Sequence, residues 1–412
     1  MKKAGEMMMR MLAVCALITA VSCATGSVED QTAPEQAPAP ATTPDVSQPA
    51  QPVNHTHPAD AAIPLGKLAV AAAASWTDPI ASLASIDIAN GYTAKQALVT
   101  TDGSDVALRS FFGHVFVINK FGADTIEVID PKGFGVVADY SVGKGSNPQD
   151  IWLVSEEKAY ITRFDSQNDV DLKDDIIIVN PLDGSRLGSI DLKPYTTDDG
   201  DRLARATQMV AVGDKLFVCI EDLPTNLLDP ANQSGKVAVI DTTKDVVETV
   251  IELSGRNPAD ITYSPLTKLI YVSESGVFKN FTTDVNDGFG GIEVIDSETL
   301  QSRGIVVDDA LFGAYPSEIR LASATLGFVI VGGAKVASFN PATYEVINKA
   351  VYTTTGFYVP DFSLDESGNL YVTERSDTTP GIVILTGDGS VVAGPIAIGA
   401  PPSSVTFVDV GD

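Results

Sequence analysis

Residues 145 to 180 open as Gly145-Ser-Asn-Pro-Gln-Asp-Ile-Trp-Leu-Val154, break at Ser155-Glu-Glu-Lys158 and resume as Ala159-Tyr-Ile-Thr-Arg-Phe164. After a polar loop they close on Asp175-Ile-Ile-Ile-Val-Asn180. These are three apolar runs of strand length, rich in β-branched and aromatic residues and bounded by Asn, Asp, Gly and Pro. The pattern predicts consecutive antiparallel strands. The unit recurs along the chain, so its period and copy number decide the fold.

The clearest recurring element is a strand that usually ends in an acid or its amide. It reads Leu83-Ala-Ser-Ile-Asp87, Ile126-Glu-Val-Ile-Asp130, Ile176-Ile-Ile-Val-Asn180 and Val237-Ala-Val-Ile-Asp241. It returns as Ile292-Glu-Val-Ile-Asp296, Val336-Ala-Ser-Phe-Asn340 and Ile382-Val-Ile-Leu-Thr386. The seven copies are spaced 43, 50, 61, 55, 44 and 46 residues apart. A second strand precedes six of them (Phe116-Val-Ile118, Tyr160-Ile-Thr162, Phe217-Val-Cys219, Tyr271-Val-Ser273, Phe328-Val-Ile330 and Tyr371-Val-Thr373). An opening strand, often led by proline, comes before that, as in Pro148-Gln-Asp-Ile151 and Pro258-Ala-Asp-Ile261. A fourth follows the acid, as in Val247-Glu-Thr-Val-Ile-Glu252. Four antiparallel strands per unit at this period predict an all-β fold, a β-propeller of four-stranded blades. The first unit lacks an opening strand, while Pro402-Ser-Ser-Val-Thr-Phe-Val-Asp-Val410 is an opening strand without a unit. Joining the two gives seven blades and removes an open sheet edge.

Tyr371-Val-Thr373, the proline-led openings and the Ile-x-Val-Ile-Asp strand resemble the YVTN-repeat family of seven-bladed propellers, over roughly residues 65–412. The resemblance implies the fold. That family includes binding proteins, scaffolds and lactonase-like relatives, so it implies no single function. Most copies here depart from the strict tetrapeptide, and the usual glycine after the opening proline is often acidic instead.

Ahead of the repeats, Lys2, Lys3 and Arg10 precede the apolar run Met11 to Val21, the layout of a secretory signal over residues 1–22. The run ends Ala20-Val21-Ser22-Cys23, which resembles the bacterial lipobox and implies acylation of Cys23 (diacylglycerol and palmitate) with anchorage to a lipid bilayer. Ala24, in place of the aspartate used for inner-membrane retention, implies the outer membrane. Residues 23–64 carry eight prolines among Ala, Thr, Gln and Ser, a composition that predicts a disordered, extended tether. His55 and His57 lie in it without a third metal ligand nearby. The expected domains are therefore signal peptide 1–22, tether 23–64 and propeller 65–412.

The formal net charge of −27 becomes −29 once residues 1–22 leave. Such a surface disfavours nucleic acid and favours cations or basic partners, besides keeping the protein soluble. With Cys15 removed and Cys23 acylated, Cys219 remains alone in the apolar run Leu216 to Ile220, where it reads as a buried hydrophobe.

In a four-stranded meander, the loops between second and third strands share a face with the connectors between blades. On this face the loops 163–174, 221–235 and 274–290 are swollen, as are connectors 192–206 and 308–315, whereas the opposite-face turns are tight. Long loops clustered on one face of a rigid scaffold predict the binding face. Candidate contacts there are Arg163, Phe164, Asp165, Asp169, Asp171, Asp284 and Asp287, with Asp174, Asp175, Asp198, Asp199, Asp201, Phe278, Phe281 and Phe289 nearby. The segment Asp284-Val-Asn-Asp-Gly288 lacks the odd-position spacing and terminal glutamate of a calcium loop, so carboxylate density alone leaves Ca2+ as a candidate ligand. Asp105, Asp150, Asp260, Glu318 and Asp361 open the innermost strands and are expected to ring the axis. They form either a collar for a cation or a cationic ligand, or a set of caps, each accepting N–H groups of its own turn; the latter is the commoner use of such an Asp.

The repeat region holds one histidine, His114, in a tight turn on the opposite face, which argues against Ser–His or Cys–His catalysis and histidine zinc sites among the long loops. The leading expectation is a non-enzymatic, monomeric envelope lipoprotein with no fixed cofactor, binding a small molecule or protein. Some propeller lipoproteins of this general appearance serve nutrient uptake, cobalamin capture included. The alternatives are a metal-dependent, lactonase-like hydrolase using the axial carboxylates, and an envelope scaffold.

Overall fold

Every residue of Ile176–Val179 is buried, whereas Arg186–Gly188 in the neighbouring strand are exposed. This contrast recurs through the chain. The two middle strands of each unit are covered on both faces by the flanking units and read as continuous apolar runs. The outermost strand meets water. The computed structural model describes residues 66–75, 77–197, 202–224, 234–279 and 282–410. The expected signal peptide, Cys23 and the tether lie outside the described residues, as do Trp76, Asp198, Asp199, Asp201 and Phe281.

Seven four-stranded antiparallel sheets form the ring. Their innermost strands, in blade order, are Pro402–Val410, Val106–Phe111, Pro148–Ser155, Ala206–Val212, Pro258–Ser264, Pro316–Ser323 and Phe362–Leu364. Blade 1 is closed by the two ends of the repeat region. Gly66 pairs with Val410 and the register runs to Ala73 opposite Pro402. Among the described residues the additions are small: two-stranded ribbons at Arg202–Leu203 with Leu223–Pro224 and at Phe278–Lys279 with Thr282–Thr283, 3-10 turns at Ser166–Asn168 and Lys193–Tyr195, and one α-helical turn, Asp309–Phe312. Among the described residues no helix is long and apolar enough to cross a membrane.

The core lies between blades. Ile118, Ile126 and Val128 of blade 2 pack on Ile151, Ile161 and Ile177 of blade 3, while Tyr160, Ile176 and Ile178 pack on Met209, Leu216 and Val218 of blade 4. The recurring Tyr-x-Thr or Tyr-x-Ser of the second strand adds polar stitches to this packing. Tyr160 Oη donates to Thr242 O (3.3 Å) in blade 4, and Tyr271 Oη to Pro341 O (3.1 Å) in blade 6. At the other end of the same strands, Thr162 Oγ1 donates to Thr207 O (2.7 Å) and Ser273 Oγ to Ser317 O. The motif residues therefore bind blade 3 to blade 4 and blade 5 to blade 6; in blade 7 Tyr371 Oη makes no such bond and Thr373 Oγ1 donates to Asp361 O of its own blade. Cys219 is a buried free thiol in blade 4.

Candidate functional site

The innermost strands begin on the long-loop face, so their first few side chains surround its mouth. In four of the seven innermost strands a side chain at this end accepts from a backbone N–H of the next blade. Asp150 Oδ2 accepts from Met209 N (2.9 Å), Asp260 Oδ2 from Ile319 N (2.8 Å) and Asp361 Oδ2 from Val405 N (2.9 Å). Ser404 Oγ fills the same role for Leu108 N (3.1 Å). The carboxylates thus carry blade 3 to 4, 5 to 6 and 7 to 1, and the serine carries 1 to 2. They do accept backbone N–H groups, but chiefly those of the neighbouring blade rather than of their own turn; Asp150 alone adds an own-strand bond, from Ile151 N (2.9 Å). Asp105 does not join them. It is exposed and precedes its strand, and Ala107, opposite Ile118, holds the equivalent place.

Two arginines, unmarked in the sequence pattern, complete the collar. Arg109 of blade 2 donates through Nε to Asp150 Oδ1 (2.7 Å) and through Nη2 to Asp150 Oδ2 (3.0 Å) and Gln208 Oε1 (2.8 Å), a bidentate pair spanning three blades. Arg320 of blade 6 pairs with Asp260 and, at 3.1 Å, with Glu318. Burial and the neighbouring Asp260 push the Glu318 carboxyl well above the usual range. Burial would lower Arg320, but Asp260, Glu318 and Asp361 outweigh it and hold the guanidinium firmly charged. The collar is therefore cross-paired, and Arg109 and Arg320 are each about one-fifth exposed, at 23% and 22%.

The swollen loops are braced from within. Arg163 is wholly buried and serves the 164–175 loop as its hub. Nη1 donates to Asp169 Oδ2 (2.6 Å) and Val142 O (3.1 Å), Nε to Asp174 O (3.1 Å) and Nη2 to Leu172 O (2.8 Å). Gly143, at φ +106°, leaves the room, since a Cβ there would lie 2.1 Å from Asp169 Oδ2. Asp165 is buried and ion-paired to Arg205 of the next connector. It also accepts from Asn147 Nδ2 (2.9 Å), and the Arg205 guanidinium lies 4.8 Å from the centre of the Phe164 ring. Asp175 binds Ser166 Oγ (2.9 Å) and Leu192 N (2.9 Å), yet burial pushes it up to about 6. Asp222 opens the blade 4 loop and gathers Thr197 Oγ1 (2.6 Å), Ser234 Oγ (2.6 Å) and Lys236 Nζ (3.3 Å). Burial would raise it, but these donors hold it below its ordinary value.

Of the sequence candidates, Arg163, Phe164, Asp165 and Asp169 are buried parts of this bracing. Asp171 and Asp284 are exposed and Asp287 is half-buried. Val170 stands beside Asp171 at the loop tip, 87% exposed. His114 begins the second strand of blade 2, where its ring nitrogen Nδ1 lies 3.2 Å from Phe112 O. Among the described residues no three His, Cys, Asp or Glu side chains stand at metal-ligand spacing.

This architecture is that of a seven-bladed β-propeller, and solved structures share it. A functionally unknown protein from Desulfotomaculum acetoxidans DSM 771 is 13% identical with a TM-score of 0.54, matching over 84% of this chain and 99% of its own. A candidate 6-phosphogluconolactonase from Bacteroides fragilis NCTC 9343 is also 13% identical, with a TM-score of 0.53, over 83% of this chain and 98% of its own. At these identities the likeness is one of fold. No protein-family model and no curated protein matches the sequence.

Proposed function

We propose that the chain is a non-enzymatic bacterial envelope lipoprotein of the YVTN-repeat type, whose long-loop face captures a ligand or protein partner. The observation that carries this reading is the bracing of the loops. Arg163–Asp169 fastens the blade 3 loop, Arg205–Asp165 ties it to the next connector, and Asp222 joins Thr197, Ser234 and Lys236 at the described ends of the blade 4 loop. Long loops lose much conformational freedom when they bind, and a surface already fixed by buried polar contacts loses little of it on capture. Bracing of this kind is also consistent with a scaffold for another envelope protein, in which case the partner is the ligand. The lipobox-like Ala20 to Cys23 supports tethering, and the placement at the outer membrane rests on Ala24.

The test uses the full chain in detergent, screened by calorimetry against cobalamin, oligosaccharides and basic envelope proteins. A hit is expected to weaken at least tenfold in Val170→Asp and Asp171→Lys and to be unchanged in Leu266→Asp, a residue 77% exposed in an opposite-face turn. The same hit weakened only by Leu266→Asp would overturn the reading. Turnover of a lactone that disappears in Asp361→Asn would replace it with the hydrolase alternative. Cys23→Ser is expected to abolish palmitate incorporation and release the chain from the membrane fraction; retention there would refute the anchor.

A further inference from the structure

Asp309 is the first residue of the helical turn Asp309–Phe312 in the connector from blade 5 to blade 6. It is wholly buried, and neither carboxylate oxygen has a hydrogen-bond partner. Two amides of its own turn bond to other acceptors: Ala310 N donates to Asp308 Oδ1 (2.9 Å), near enough to the Asp309 carboxyl to favour its charged form, and Gly313 N to the Asp309 backbone oxygen (2.8 Å). A buried carboxylate without donors is one of the least favourable groups a fold can hold, so it calls for a counter-charge. The end of the blade 5 loop lies directly against it: residue 290 is glycine, and a Cβ there would stand 2.2 Å from Asp309 Oδ2.

Two acids, Asp284 and Asp287, lie in the neighbouring blade 5 loop, six and three residues before Gly290. Asp284 and Asp287, together with Asp308, act on Asp309 electrostatically and, with burial as the largest cause, push its carboxyl up to about 6. Each loop acid commits one oxygen locally, Asp284 Oδ1 to Asn286 N (3.0 Å) and Asp287 Oδ1 to Phe289 N (2.8 Å). Among the described residues the second oxygens are not engaged. Arg256, in the connector from blade 4 into blade 5, does not neutralise the group. It lies over the Phe289 ring at 4.6 Å and donates to the carbonyls of Ser254 (3.2 Å) and Gly255 (2.8 Å).

We propose that Asp309, with Asp287 and Asp284, forms a calcium site that fastens the blade 5 loop to the connector leading into blade 6. All its donors are hard oxygens, with no imidazole or thiolate for zinc, and Ca2+ accepts irregular sets of carboxylates, carbonyls and water. Three acids do not already stand at metal spacing, so the loop acids close onto the fixed Asp309 as the ion enters. The site is independent of what the face captures.

The test strips the full chain with EDTA and titrates it with CaCl2, following heat release and the melting temperature. One ion per chain is expected, with an affinity on the order of 10⁻⁵ to 10⁻³ M and a raised melting temperature. Asp309→Asn should abolish both responses and Asp287→Asn should weaken binding roughly tenfold. Glu298→Gln, an exposed acid of blade 5 paired with Lys268, should bind like the parent. If Asp309→Asn does not fold, the parent titration and Asp287→Asn decide the matter. The proposal is overturned by an absent calcium response in the parent, by an equal response to Mg2+, or by a response that survives Asp309→Asn or, where that variant does not fold, is unchanged in Asp287→Asn.

Discussion

A chain ending at Pro401 is expected to have no cooperative unfolding transition and to accumulate as aggregate. The missing segment, Pro402–Val410, is the innermost strand of blade 1 and pairs along all of Gly66–Ala73. Its loss bares that edge and removes Val408 and Val410 from the cluster around Val70, Leu83 and Val117. It also removes Ser404, which accepts from Leu108 N and donates to Asp361 Oδ2 (2.7 Å). A closed ring has no end blade to fray, so opening one seam exposes two unpaired faces together. The combined loss should exceed the whole stability of an ordinary domain, about 5–15 kcal/mol. Calorimetry checks this; a cooperative melt within a few degrees of the full chain would show that the seam contributes little.

Asp150→Ala is the point substitution with the largest expected effect. Asp150 is fully buried and serves Arg109, Met209 N and Ile151 N together. Removing it leaves a guanidinium and two amides without their acceptor, for an expected loss of about 3–5 kcal/mol in urea unfolding. Asp105→Ala, exposed and outside the collar, should stay within about 0.5 kcal/mol of the parent. Similar losses for the two would contradict the collar as drawn.

These two variants also mark where the sequence is readable and where it is not. Strand period, apolar runs and the orphan ends determine the blades because burial on both faces leaves a local signature at every copy. Asp150, Asp260 and Asp361 are legible as axial for the same reason, since each follows a repeated proline by one or two residues. Asp105 misleads because it precedes its strand by one residue without that proline. Nothing in Arg109 or Arg320 announces a partner on another blade: the pairs Arg109–Asp150 and Asp260–Arg320 are separated by 41 and 60 residues. Arg163 reads as an available cation because exposure is not encoded locally; Gly143, which makes room for it, lies 20 residues upstream. Asp309 carries no motif at all, and only the glycine at 290 hints at a close approach there.

On the proposed reading the loop face is built in advance of any ligand, and hydrogen–deuterium exchange on the unliganded full chain measures this directly. The amides of Phe164, Asp165, Asn168 and Asp169, bonded to the 146–147 connector and within their own turn, are predicted to exchange nearly as slowly as those of Lys158–Arg163, and to lose that protection in Arg163→Ala. Exchange of the parent loop at the rate of an unstructured peptide would contradict the claim.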